Sequence, residues 1–229
     1  MGRPHVHLNV AATADGKIDT FQRRGASISS ARDRERVDRL RAVVDAILIG
    51  SRTLHDEDPK LTVKSEVLRA KRKALGLPEN PAKVAAAARL VLRPESDFLR
   101  AGPARILLFT TVQTEAGERR RLREAGAELF VQDGERVDLE QMLNTLKELG
   151  IEKLMVEGGA TLNFEMINRG LVDEMTIFIA PVVFGGESAP TLAGGPGLPD
   201  SAAVQLKLVK AEQWNDGGVL LHYEVVRGG

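Results

Sequence analysis

Leu154 to Asn168, LMVEGGATLNFEMIN, reads as a buried strand, a glycine turn and the first turns of a helix. The apolar run Leu154-Met155-Val156 has strand length, and Leu162, Phe164 and Ile167 supply an apolar side for the helix that follows. Two adjacent glycines let a ligand approach the backbone closely, and the unbonded N–H groups of a helix start favour an anion, for which phosphate is the natural guest. The same pair also makes an ordinary tight turn between strand and helix, and it lacks the G-x-G-x-x-G spacing, so residue spacing alone leaves both readings open. Glu157 sits where α/β proteins place ligand-facing groups, at the carboxyl end of a strand; a carboxylate capping the next helix is the alternative.

Outward from this segment, strands and helices alternate. His5 to Val10 alternates polar and apolar residues and reads as a strand, and Asp15-Gly16 marks a turn. Ser30 and Asp33 form an S-x-x-D capping box for a helix in which Val37, Leu40, Val43 and Val44 recur at helical spacing. Ala46 to Gly50 is a buried strand leading into SRTLHDEDPKLT, read as a polar loop because Asp58 precedes Pro59. Residues 66–75 are helix-prone and read as a surface excursion, and residues 83–92 as a strand despite their alanine run. Strand, helix and strand follow at 104–110, 118–125 and 127–131, then a helix capped by Asp138 and Gln141. Further strands are expected at 174–184, 204–212 and 218–226. This order predicts an α/β fold: a mixed, mostly parallel sheet with helices on both faces and antiparallel strands at the C-terminal edge, in one domain over residues 1–229.

Composition narrows the function classes. Of 229 residues 43% are hydrophobic but only 4% aromatic, so the core is aliphatic. Thirty-two basic residues balance 32 acidic ones, which removes the broad attraction that nucleic-acid binding requires and points to small-molecule ligands. The absence of cysteine rules out disulfides, thiolate nucleophiles and Cys-ligated zinc. No apolar run approaches membrane-span length and MGRPHVHLNV lacks a signal-peptide core, so a cytoplasmic protein with no membrane partner is expected.

A second constellation, Gly50-Ser51-Arg52-Thr53-Leu54-His55-Asp56-Glu57-Asp58-Pro59, also ends a buried strand. Thr53 is suited to bond a phosphate or amide and Glu57 to donate a proton, with a solvated acidic loop as the plainer reading. Arg41 and Lys64 flank it and suit an anionic substrate. His5 and His7 share a strand face with Asn9, without an acidic or histidine partner at metal-motif spacing, and no metal site is expected. Residues 184–197 are glycine-rich, as a ligand-covering loop or a long crossover would be.

Taken in order, NVAATADGKI (9–18), DAILIG (45–50), DPKLT (58–62), VEGGATLN (156–163), GLVDE (170–174), IAP (179–181) and FGG (184–186) resemble the riboflavin-biosynthesis reductases, the RibD C-terminal domain and its stand-alone archaeal and fungal relatives. The resemblance implies a dihydrofolate-reductase-like fold, NADPH as hydride donor and a homodimer. It also implies a phosphorylated pyrimidine whose ribosylamino group is reduced to ribitylamino at C1′. The family's deaminase partner uses a cysteine-bearing zinc site, so only the reduction is expected here.

By position the resemblance implies that Ala11, Ser27, Thr53, Glu57, Gly158, Gly159, Ala160 and Thr161 contact the cofactor. Arg41, Leu61, Lys64 and Glu157 hold the substrate, and Glu57 is the catalytic candidate. Dihydrofolate-reductase-like folds can hold the glycine pair as a cis peptide, which is the expectation for Gly158-Gly159. Three departures stand out: Glu57 replaces a common Asp, Lys64 replaces a frequent Arg and so offers a point charge instead of a fork, and Ala87-Ala88 replaces an Asp-Ser pair, leaving Arg89 as a substitute for the NADP 2′-phosphate. The alternatives are a dihydrofolate reductase-like enzyme, which has no substrate phosphate to bind, and a non-catalytic NADPH-binding protein.

Overall fold

The computed structural model describes residues 2–226, which form two compact units, a central one built on residues 36–155 and a terminal one built on residues 5–35 and 156–226. In chain order the elements are β1 (His5–Thr13), α1 (Ala31–Arg41), β2 (Ala46–Gly50), α2 (Ser51–Asp56), α3 (Glu66–Ala74), β3 (Ala82–Ala86), α4 (Asp97–Arg100), β4 (Ile106–Thr111), α5 (Ala116–Glu124), β5 (Glu128–Gln132), α6 (Leu139–Glu148), β6 (Lys153–Val156), α7 (Ala160–Asn168), β7 (Glu174–Ala180), β8 (Leu206–Gln213) and β9 (Val219–Val225).

In the central unit β2 pairs with β3, β3 with β4 and β4 with β5, all parallel. Residues on one face of these strands, Ile47, Ile49, Ala85, Ile106 and Leu108, pack with Leu54, Phe98 and Leu122 from the helices. The opposite face, with Leu48, Val84, Leu107 and Phe109, is buried too, as are Leu139, Met142, Leu143 and Leu146 of α6. Strands covered on both sides explain why β2 (AILIG) and the start of β4 (ILLF) read as apolar runs without alternation. In the terminal unit β1 pairs with β7 in parallel, and β7 with β9 and β9 with β8 are antiparallel. The mostly parallel sheet with antiparallel C-terminal strands is therefore as expected.

Several local expectations are corrected. The polar loop after β2 begins as the helix α2: Gly50 serves as its extended N-cap, and Thr53 and Leu54 turn inward to bury the apolar part of a mostly polar segment. The helix ends before Asp58, whose φ of 45° is left-handed. The segment 66–75 lies mostly exposed, as a surface excursion would, with Arg72 as its buried anchor: it donates to the carbonyls of Ala42, Val44 and Pro78 at 2.8 to 3.0 Å. The strands expected at 83–92 and 174–184 end earlier, at Ala86 and Ala180. The short helix α4 carried no recognised signal.

Candidate functional site

The expected residues fall into two groups, one in each unit. The terminal unit resumes at Val156, the last residue of β6, and continues into Glu157, which is half-buried, and Gly158, where φ is 103°. That left-handed backbone is open to glycine and strained for other residues. The Gly158-Gly159 peptide is cis, as expected. Gly159 is the N-cap of α7 and brings no side-chain cap, and the helix's first backbone bond there runs from Asn163 N–H to the Gly159 carbonyl at 3.0 Å. As at any helix start, the N–H groups of Ala160, Thr161 and Leu162 have no carbonyl partner in the preceding turn of the helix, an arrangement that can take an anion, and Thr161 is exposed.

Asn163, overlooked in the sequence, ties this turn to the glycine-rich segment. It is 1% exposed, and its Nδ2 donates to the Leu192 carbonyl at 2.8 Å. Gly194 N–H donates to the Ala160 carbonyl at 3.0 Å. A Cβ on Gly195 would lie 2.5 Å from the Phe164 ring, so glycine is required for the segment to lie flat on α7. Residues 192–195 are therefore packed on the first turns of α7.

Ala11 is half-buried on β1 opposite Phe178 of β7. Ser27 is exposed, directly before Ile28, which is buried among Phe178, Ala180, Trp214 and Leu220. Asp15 and Asp19 hold the loops around β1. Asp15 accepts the N–H groups of Phe184 at 3.2 Å and Gly185 at 2.7 Å. The Thr13 hydroxyl and these N–H groups outweigh desolvation and keep the Asp15 carboxyl below its usual range.

In the central unit, Thr53 and Glu57 lie one helical turn apart, Glu57 N–H donating to the Thr53 carbonyl at 3.2 Å. Thr53 is buried and Glu57, the C-cap of α2, is exposed. The end of α1 gathers the substrate candidates. Arg41 Nη1 donates to the Thr62 carbonyl at 3.1 Å, and Asp38 accepts the N–H groups of Lys64 at 2.6 Å and Ser65 at 2.8 Å. Leu61, between them, is buried with a left-handed φ of 47°. The Arg41–Thr62 bond and Asp38, which sequence spacing did not single out, thus hold the segment of Leu61 and Lys64 to the end of α1.

Asp58, adjacent to Glu57, caps α4. It accepts from Ser96 Oγ at 2.5 Å and from the N–H groups of Asp97 at 2.9 Å and Phe98 at 3.0 Å. Burial opposes its ionisation, but these donors and Arg93 outweigh it, and its carboxyl lies below the usual range. Arg89, the expected substitute for the missing Asp-Ser pair, is engaged by Glu115 at 3.4 Å.

The histidines also correct an expectation, because sequence pairing hid their partners. His5 and His222 meet the two oxygens of Glu174 at 3.0 and 2.8 Å, and His7 lies 3.6 Å from the same carboxylate. Among the described residues no group of His, Asp or Glu is arranged to hold a metal ion.

Comparison with known proteins places this geometry in context. The family model of the RibD C-terminal domain matches residues 4–220, through both units. The 2,5-diamino-6-ribosylamino-4(3H)-pyrimidinone 5′-phosphate reductase of Archaeoglobus fulgidus is 37% identical over 94% of this chain and 95% of its own. The enzyme of the same name from Methanothermobacter thermautotrophicus is 39% identical over 91% and 93%. The riboflavin biosynthesis protein RibD of Actinobacillus pleuropneumoniae is 30% identical, with this chain spanning 57% of its length. Among solved structures, a pyrimidine reductase-like protein from Corynebacterium diphtheriae aligns with a TM-score of 0.81 at 20% identity, over 98% of this chain and 93% of that one. Acinetobacter baumannii RibD aligns with a TM-score of 0.81 at 25% identity, over 99% and 59%. With its dihydrofolate-reductase-like α/β architecture and a match running through nearly its whole length, the chain belongs to the RibD C-terminal domain family.

Proposed function

We propose that this protein is the NADPH-dependent reductase that converts the ribosylamino group of 2,5-diamino-6-ribosylamino-4(3H)-pyrimidinone 5′-phosphate to ribitylamino. The observation that carries this reading is the near end-to-end similarity to reductases of that name, 94% of this chain against 95% of the Archaeoglobus protein. The family match through both units supports treating them as one reductase domain over residues 1–229.

The residues present fit a dinucleotide: a glycine turn with left-handed backbone at Gly158 and a helix start without a side-chain cap are what a phosphate needs. NADPH, when bound, supplies the hydride that adds to C1′ of the ring-opened substrate. Gly158, Gly159, Ala160 and Thr161 hold its phosphates, with Ala11, Ser27, Thr53 and Glu57 as further contacts. Arg41 and Lys64 neutralise the substrate's 5′-phosphate, Leu61 packs against it, and Glu157 accepts from its polar groups. Glu57 delivers the proton to the nitrogen as C1′ is reduced, directly or through water.

A homodimer is part of the proposal. β8 is the terminal strand of its unit, and Leu206, Leu208 and Val209 on it are exposed, an arrangement that invites pairing with a second copy. A cytoplasmic location completes the reading; among the described residues no helix is long and apolar enough to cross a membrane.

The test is NADPH oxidation with the diamino pyrimidinone, its deaminated uracil counterpart and dihydrofolate, repeated with NADH. Fastest turnover with the diamino compound and NADPH is expected. Oxidation with dihydrofolate alone, or binding without oxidation, would overturn the assignment.

A further inference from the structure

Asp19 follows the turn after β1 and is buried, 8% exposed, although it is a carboxylate. Its oxygens are used inward. Oδ1 accepts the N–H groups of Thr20 at 2.7 Å and Ala26 at 2.9 Å, and Oδ2 accepts that of Gly25 at 2.9 Å. One side chain thus closes the loop 20–26 on itself. The loop cannot rely on a regular ladder: Arg23 and Gly25 have left-handed φ of 53° and 76°, and its one backbone bond within this span runs from Arg23 N–H to the Thr20 carbonyl at 3.1 Å. Arg23 also reaches the glycine-rich segment, its guanidinium donating to the Ser188 carbonyl at 2.9 Å. Ser27 comes next, between Ala26, held by Asp19, and Ile28, buried in the core of the terminal unit. An exposed serine is therefore fixed from both sides.

We propose that Asp19 is a positioning residue for the cofactor: its carboxylate pre-forms the loop 20–26 so that Ser27 meets the dinucleotide without a cost of ordering. This rests on the assignment of Ser27 as a cofactor contact made above. The physical reason is preorganisation, since a loop ordered before binding does not charge its conformational entropy to the affinity. Asparagine at position 19 keeps one oxygen for Thr20 and Ala26 and loses the Gly25 bond; alanine loses all three. The two substitutions should therefore act in graded order.

The test uses Asp19→Asn and Asp19→Ala in the full-length protein, with two readouts. Trp214 is the sole tryptophan of the sequence and shares the core cluster with Ile28, so energy transfer from it reports NADPH binding without turnover. Trypsin acts after Arg23 and Arg24, inside the loop, so cleavage there reports loop order whether or not NADPH binds. Expected are tenfold or greater weakening of NADPH binding in the alanine variant, an intermediate loss with asparagine, a KM for NADPH that rises in step and a kcat within about threefold of the parent. Cleavage after Arg23 and Arg24 should accelerate in the same order while the thermal transition is retained. Unchanged cleavage in both variants overturns the organising role. Faster cleavage with unchanged affinity overturns the positioning role and leaves the proposed enzyme intact. If the parent itself binds no NADPH while its variants are cleaved faster, the cofactor reading fails and the positioning role fails with it.

Discussion

Lys83 is a lysine in the middle of an apolar strand, fully buried on β3. Its ammonium donates to the carbonyls of Phe98 at 2.9 Å and Ala101 at 2.6 Å, closing the C-terminal end of α4. Burial pulls its pKa down to about 8 from 10.5, so the folded state gives up the proton more readily than the unfolded one. Folding therefore works against the charged form below pH 8, and stability rises with pH between about 8 and 10.5 by up to roughly 3 kcal/mol. Urea titrations at pH 7, 8.5 and 10 should show this rise in the parent and its loss in Lys83→Met. At Glu57 the expected change is catalytic: Glu57→Gln should lower kcat by roughly a hundredfold or more and flatten its pH profile, measured under substrate saturation. Full turnover with the parent's pH dependence would remove Glu57 from the reaction. Residues that bond through their own helix or turn, such as Ser30, whose Oγ accepts the Asp33 N–H at 3.2 Å, were legible in the sequence. Asp19, Asp38 and Asp58 were not, because each carboxylate serves backbone N–H groups whose placement depends on the folded loops, and no local spacing encodes that.

Elements were legible in proportion to their apolar pattern. β2 ends where expected, at Ala46 and Gly50, because five apolar or small residues lie between a charged Asp45 and a polar Ser51. α6 was visible from its buried stripe and from Asp138, which accepts from the N–H groups of Glu140 and Gln141. α2 and α4 were hidden for the same reason: six and four residues are too few to show a helical period, and each is held by contacts outside itself. β8 was recognised as a strand, but its surroundings were not, since its residues are mostly exposed while its sequence, LKLVKAEQ, alternates like a half-buried one. If a second copy pairs on this strand, Leu208→Asp should shift sedimentation from dimer to monomer at micromolar concentration. A parent that sediments as a monomer would reject the homodimer, and a variant that stays dimeric would move the interface elsewhere.

At the scale of the whole molecule, the order of strands and helices was enough to infer the sheet, because parallel pairing follows from alternation and antiparallel pairing from consecutive strands. The division into two units was not inferable, since the terminal unit draws on both chain ends. Glu174 shows what such long-range pairing creates. Burial opposes ionisation of its carboxyl, but His5, His7 and His222 outweigh it and hold it below 4.5. A depressed acid contributes stability above its unfolded pKa and loses it as pH falls through the folded value. Thermal scans from pH 6 to pH 3 should thus show a steeper loss below about 4.5 in the parent than in Glu174→Gln, and parallel curves would count against the cluster.

The same pairing has a consequence for biosynthesis. Val6 N–H donates to Asp173, 167 positions along the chain, at 2.7 Å, and β1 pairs in parallel with β7. A ribosome therefore releases the first strand long before its mate exists, whereas the central unit is complete in sequence by Met155. At common translation speeds of about 5 to 20 residues per second, the opening strand waits on the order of ten to thirty seconds with its edge unsatisfied. Its polar residues His5, His7 and Asn9, which later bond to Glu174 and Thr176, keep one face of that waiting strand wettable, an advantage against aggregation before the molecule has finished being made.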